Sequence, residues 1–504
     1  MPDIAAAPVE RTSFFAEQAR RRRRARLWAL LCLGLAAGIG AVLSTITGPL
    51  VLLLLAVALK LLAWLGLAPA IMLAALHALD LWIGGCVAAF SQGLDILDAQ
   101  GPAGALAAAR RFLHAAQLVL PGMLFAALVW ARLARFHRRS AIAAAAADLA
   151  ARAPCEADPE ERQLGNILAE LALAAGLPTP RLLLVDAPEP NAASFGASHQ
   201  DAAIIATRGL LDRLERRETQ GVVAHLVGSI GSGDLRLAAA VQAVFGTLGA
   251  MVLVFDLPFR RGAWVALGDL GRAVLGLLPA AQAERLTSGL AASTSPDSME
   301  SMLKVMSLVE RWPPIGALLV APLIPWMLLT LVQKLLVSLW MLFVFGWPLG
   351  LLWRARRYLA DAVAVQLLRD PEALASALRQ IDEGGLPTGG ALQELGFFHA
   401  PQHDAAHGFR ARASMVAALT PAIGKRLARL AALGAGPAPR SGFLAGLRGV
   451  AALPGWKGAL ALFLMALLVP LFGALVFMVG LLLVGASFFS VMAGAGLASL
   501  ILHL

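Results

Sequence analysis

The stretch E-T-Q-G-V-V-A-H-L-V-G-S-I-G-S-G-D, from Glu218 to Asp234, decides how the rest of the chain is read. It belongs to a helix expected over 212–231, in which His225 and Ser229, four residues apart, share one face and Leu226 adjoins the histidine. Upstream, R-L-L-L-V-D at 181–186 reads as a strand opening after Pro178 and Pro180, and A-I-I-A-T at 203–207 as a second short strand. The Ala-rich 140–152 and the amphipathic Leu164 to Leu173 read as helices. Residues 135–235 thus have the texture of a folded aqueous domain, and a second aqueous portion spans about 354–450.

Around these portions the chain is apolar. Of 504 residues, 59% are hydrophobic and 15% charged, and the mean hydropathy is +0.73, which excludes an ordinary soluble protein. No charged side chain occurs in 27–59, 237–255, 314–333, 335–353 or 458–504, and each run is long enough to cross a bilayer. The expectation is therefore a polytopic α-helical membrane protein with a cytoplasmic α+β domain, divided as follows. A basic cytoplasmic tail covers 1–26, membrane segments 27–134, the first part of the domain 135–235, membrane segments with a mixed loop 236–353, the second part 354–450, and a membrane hairpin 451–504.

Thr47, Gly48 and Pro49 suggest a tight hairpin inside the first run, with helices near 27–46 and 49–66. Either four crossings, or two with interfacial helices, return the chain to its starting side at Arg132. The two aqueous portions must meet on one side of the bilayer, so 236–256 and 314–353 should each cross once. The net charge of +10 is carried largely by arginine, and Arg20 to Arg24, Arg26, Arg132, Arg135, Arg138 and Arg139 flank apolar runs, which places both clusters in the cytoplasm. Because these clusters flank membrane segments rather than interleave with aromatic residues, nucleic acid is not expected as a partner. The three cysteines show no metal or disulfide spacing.

Glu218, Ala224, His225, Gly228, Ile230 and Asp234 fall where membrane zinc metallopeptidases of the HtpX heat-shock and CAAX prenyl protease family have an acidic residue, A-H-E-x-x-H and a following Asp. The chain resembles that family elsewhere too. G-L-P-T-P-R-L-L-L-V-D (176–186) resembles its strand, and P-N-A-A-S-F-G (190–196) its Asn-Ala loop. R-R-Y-L-A-D-A-V-A (356–364) and D-P-E-A-L-A-S-A-L (370–378) resemble its third-ligand segment, and T-P-A-I-G-K-R-L (420–427) its His-Pro element. The resemblance covers about 160–430 and implies a zincin-like fold, zinc-dependent endopeptidase chemistry, a bacterial inner membrane and a place in protein quality control.

The zinc chemistry of such a helix needs two His at i and i+4 as ligands and a Glu as general base. Mapped through the resemblance, His225 remains, Leu226 replaces the base, Ser229 the second ligand, Arg357 the third ligand, and Thr420 the substrate-side His. A guanidinium about 4 Å from a doubly charged ion costs on the order of 8 kcal/mol at an effective dielectric of 20. No cofactor is therefore expected, and Arg357 is expected to fill the vacated space and pair with Asp361 or Asp234. The resulting expectation is a catalytically inactive homologue, a pseudopeptidase that binds, scaffolds or regulates a protein or peptide partner in the lipid bilayer. A peptide would be placed by the resemblance at Asn191 to Gly196 and at the strand containing Ile204 and Ile205, by addition to a sheet edge.

The alternative is an active membrane zinc metalloendopeptidase with non-standard ligands. His399, His403 and His407, four apart, are the weaker metal candidates, and Pro401 argues for a polar loop there instead. His77 and Asp80 interrupt an apolar run, and a snorkelling or interfacial place suits them better than a transport path.

Overall fold

The computed structural model describes residues 14–67, 69–294, 346–381, 398 and 421–436, together with a few isolated positions between 307 and 338. The chain divides into two compact units, the smaller comprising residues 36–131, 323–337 and 463–504. Helix α1, Phe14–Trp64, is continuous through Thr47, Gly48 and Pro49, so the hairpin expected there does not form. Close packing explains the Gly. A Cβ on Gly48 would lie 2.9 Å from the carbonyl oxygen of Leu118, and one on Gly122 would lie 2.8 Å from Cβ of Ser44. Small residues here let two apolar helices approach backbone to backbone, as Gly and Pro commonly allow in such helices. Helices α2 (Pro69–Gln100), α3 (Ala105–Ala115) and α4 (Leu120–Asp148) follow, and Leu52, Ile83, Cys86 and Leu118 form a buried cluster within this unit.

The larger unit holds the sheet. Helix α5 (Pro159–Ala174) starts at Asp158, whose carboxylate accepts from the amides of Glu160 (2.9 Å) and Glu161 (3.2 Å). It buries Leu164, Ile167, Leu168 and Leu171, one apolar stripe at helical spacing. Strands β1 (Arg181–Val185), β2 (Ala192–Ser198) and β3 (Asp201–Thr207) form a sheet in the order β1-β3-β2, with β3 parallel to β1 and antiparallel to β2. The segment read as an Asn-Ala loop is therefore mostly strand. Its residues are small and carry no alternating pattern, so the strand is set by the cover on both its faces and not by β-propensity. Ile204 and Ile205 lie on the central strand with neighbours on both sides, and β3 offers no edge to a peptide.

Helix α6 (Arg208–Arg213) is capped by Thr207. Helix α7 (Arg216–Gly231) carries the decisive stretch, and almost every residue from Glu218 to Ile230 is buried. The Glu218 carboxylate accepts from the Glu215 amide at 3.0 Å and from Gln380 at 2.6 Å, which fixes the start of α7 on the domain. Gly233, at φ +84°, turns the chain into α8 (Asp234–Asp256). Beyond it, part of the expected mixed loop folds as α9 (Arg261–Leu275) and α10 (Ala283–Ser293), which pack on α8. Buried Asp269 holds them together, accepting from Arg285 at 2.7 and 2.8 Å. Helices α11 (Gly346–Leu368), α12 (Pro371–Ile381) and α13 (Ile423–Ala432) complete the described domain, with α11 and α12 laid against α7.

Among the described residues, three helical stretches, Phe15–Ser44, Ala70–Asp148 and Asp234–Asp256, are long and apolar enough to cross a membrane.

Candidate functional site

Helix α7 is the floor of the site. His225 and Ser229 lie one turn apart on it, and both are buried. Helix α11 passes close at Gly228, where a Cβ would lie 2.9 Å from Cγ1 of Val363. That approach brings Arg357 and Asp361, also one turn apart, to the same level. Helix α13 buries Ile423, Leu427 and Leu430, and Arg426 lies on that same stripe with no exposed surface.

Asp361 is the hub. Arg426 donates to it twice, from Nε at 3.0 Å and Nη2 at 2.6 Å, and His225 Nδ1 lies 2.8 Å from Oδ1. Burial alone would raise the Asp361 carboxyl, but the Arg426 guanidinium and the His225 hydrogen bond hold it well below the usual carboxylate range. Asp361 is therefore an acceptor, and the proton between it and His225 belongs to Nδ1. Burial pushes the imidazole down to about 4, so the ring is neutral at physiological pH and its Nε2 is a bare lone pair. Among the described residues this Nε2 has no hydrogen-bond partner.

Phe398 closes the site over His225. The two rings meet edge to face, centroids 5.0 Å apart at 81°, and the Arg426 guanidinium lies 4.7 Å from the Phe398 ring centre. Phe398 donates its amide to Ala192 of β2 at 2.7 Å and accepts at its carbonyl from Arg426 Nη1 at 3.2 Å.

Ser229 donates its hydroxyl to Asp234 at 2.6 Å, and Arg356 binds the other oxygen of Asp234 together with the Ser232 carbonyl. Asp234 thus forms an ion pair with Arg356, and Asp361 with Arg426. Arg357 lies buried within electrostatic reach of both carboxylates, and burial pushes its guanidinium down to about 10. Leu226 faces the core, fully buried. Asn191, just before β2, and Gly196, within it, are both buried. Thr420, His399, His403 and His407 lie outside the described residues.

Sequence reading brought His225, Ser229, Asp234, Arg357 and Asp361 to one place and missed Arg356, Phe398 and Arg426 as members of it. For Arg426 a signal existed. It stands three after Ile423 and one before Leu427, on the apolar stripe of a short helix, where an arginine is unexpected unless paired. For Phe398 no local pattern distinguishes it from any other apolar residue.

Peptidase family M48 matches residues 158–433, more than half of the 504. Relatives include a protease HtpX homolog of Caldanaerobacter subterraneus subsp. tengcongensis, 30% identical over 226 residues, which are 45% of this chain and 58% of that protein. The protease HtpX homolog of Dictyoglomus turgidum is 31% identical over 222 residues (44% and 54%), and that of Listeria innocua 29% over 240 (47% and 64%). The chain thus spans little more than half the length of the first two and under two thirds of the third. No solved structure matches. The match runs from the cap of α5 to the end of α13 and takes in the three described strands and the described residues around Asp361, so the chain belongs to peptidase family M48.

Proposed function

We propose that this protein is a catalytically inactive membrane relative of the HtpX proteases that binds a peptide or protein partner through its peptidase-like domain. The observation that carries this reading is the buried guanidinium of Arg357 one turn from Asp361. Zinc would need several negative or neutral donors converging on one point. His225 Nε2 could supply one. The Ser229 hydroxyl is committed to Asp234, Leu226 has no donor, and Arg357 brings a positive charge to the third position. These residues do not fit a zinc ion.

What the arrangement can do without metal is hold an extended chain. Main-chain pairing to a sheet edge requires only unpaired amides and carbonyls. Of the two strands the resemblance offers to a peptide, β3 is central and β2 lies at an edge of the sheet, so the proposed edge is the outer side of β2. The basic clusters and the apolar helices favour an inner-membrane setting with the domain on the cytoplasmic side.

The rival reading, an active zinc endopeptidase with non-standard ligands, draws on the bare Nε2 of His225. Both are tested on one sample. Protein purified in mild detergent is expected to hold well under a tenth of an equivalent of zinc by plasma mass spectrometry. It is expected to leave unfolded casein intact, with or without chelator. One zinc per chain with chelator-sensitive cleavage would overturn the inactive reading.

A further inference from the structure

The first turns of α1 have two faces. Glu17, Gln18, Arg21 and Ala25 are buried, a stripe at helical spacing that seats the helix on α11. Gln18 donates there to Gln366 at 2.7 Å, and the Arg21 guanidinium lies 5.1 Å from the Tyr358 ring centre. Arg22, Arg23, Arg24 and Arg26 turn the other way and are exposed. Among the described residues none of these four has an ion-pair partner, whereas Arg152, Arg208 and Arg285 of the same unit each meet a carboxylate. Exposed Leu27, Leu30 and Leu33 follow at once.

Helix α4 repeats this order in reverse. Exposed Leu124, Leu128 and Trp130 come first, and then Arg132, Arg135 and Arg139 share one exposed stripe. Leu133, Phe136 and His137 are buried on its other side, Leu133 against Gly246 of α8. Trp28 and Trp130 mark the two junctions, and such rings collect at headgroup depth. From Arg22 to Arg26 the helix rises about 6 Å, which matches a headgroup layer of about 5 to 7 Å. Two helices thus hold their arginines in fixed arrays at the level of lipid phosphates, on the faces that the protein itself leaves uncovered. A guanidinium meets a phosphate with paired N–H donors, which suits such an array better than a neutral headgroup does.

We propose that the exposed arginine faces of α1 and α4 are binding surfaces for the headgroups of anionic phospholipids. The proposal rests on the membrane setting of these helices and adds the chemistry of the lipid. It is tested on the full chain in dodecyl maltoside, titrated with dioleoylphosphatidylglycerol or dioleoylphosphatidylcholine, bound lipid being counted by native mass spectrometry. The anionic lipid is expected to bind at least about tenfold more tightly at 50 mM ammonium acetate, since each arginine near the surface contributes about fivefold. The difference should shrink at 500 mM, where the Debye length is about 4 Å. Arg22→Gln, Arg23→Gln, Arg24→Gln and Arg26→Gln together should reduce the preference at least about fivefold, and so should Arg132→Gln, Arg135→Gln and Arg139→Gln together. The corresponding Lys variants, which keep the charge, should retain most of it. An undiminished preference in both folded Gln variants would overturn the proposal. Should those variants fail to fold, the natural protein decides alone, and equal binding of the two lipids sinks the proposal. That outcome would leave the membrane setting untouched, because the total lipid bound reports on it separately.

Discussion

Hydrogen bonds keep the buried imidazole of His225 ordered. Its Nδ1–H is held by Asp361, and Asp361 is held by Arg426. The cost is paid in pH sensitivity. In the unfolded chain the imidazole titrates near 6.5, and burial pushes it down to about 4 in the folded state. Between those values the unfolded state binds the proton and the folded state does not, so stability falls as pH falls. The slope is up to about 1.4 kcal/mol per pH unit, or roughly 3 kcal/mol across the window. Asp361, held low in the fold, adds a loss only below its ordinary value of 3.8. Thermal unfolding followed by circular dichroism should therefore show a midpoint that drops from pH 6.5 toward 4, and drops less in His225→Asn. Equal slopes in the two proteins would mean that the buried imidazole does not titrate as its surroundings demand.

Among the elements, α7 is the one pinned on most sides, and its glycines mark where. A Cβ on Gly221 would lie 2.8 Å from the Leu374 amide nitrogen and 2.9 Å from two other backbone atoms of α12. Backbone cannot yield as a side-chain end can, so overpacking of about 1 to 3 kcal/mol outweighs the gain of about 1 kcal/mol that Ala brings to a helix. Gly268, on α9, has open space instead. Gly221→Ala should lower the unfolding midpoint and Gly268→Ala should raise it slightly, and a same-sign result would contradict the packing described. The same contrast explains what could be read in advance. The α5 stripe carries a helical period, and β1 and β3 are short continuous apolar runs bounded by polar residues, so all three stand where local pattern placed them. Strand β2 is built from Ala, Ser and Gly around one Phe, and its pairing with β3 is a long-range consequence that no local pattern encodes. Helix α1 contains Gly48-Pro49, a turn signal by composition, but the glycine is there for Leu118 and Gly122 to approach. In the site, the residues on α7 and α11 were legible because the family resemblance aligned both segments with one site. Arg426 and Phe398 reach Asp361 and His225 only through the tertiary fold.

For the whole molecule, the proposed cytoplasmic placement of the M48 domain is argued from charge. Arg20, Arg22, Arg23, Arg24 and Arg26 are exposed along the first turns of α1, ahead of exposed Leu27, Leu30 and Leu33. Arginines at that junction resist translocation, and Arg132 to Arg139 repeat the pattern on α4. Both clusters lie in the unit that holds the site, so the proposed cytoplasmic orientation makes a single commitment for that unit. The cysteines supply a probe without engineering. Cys155 is exposed in the segment leading to α5, whereas Cys32 and Cys86 are buried in α1 and α2. A membrane-impermeant maleimide should therefore label about one thiol per chain in inverted inner-membrane vesicles and almost none in right-side-out spheroplasts, since a charged reagent does not cross the hydrocarbon. Cys155→Ser should abolish the signal, which separates orientation from leakage to the buried thiols. Labelling of Cys155 from the outer face would place the domain across the membrane, and the positive-inside argument would then fail for this chain as a whole.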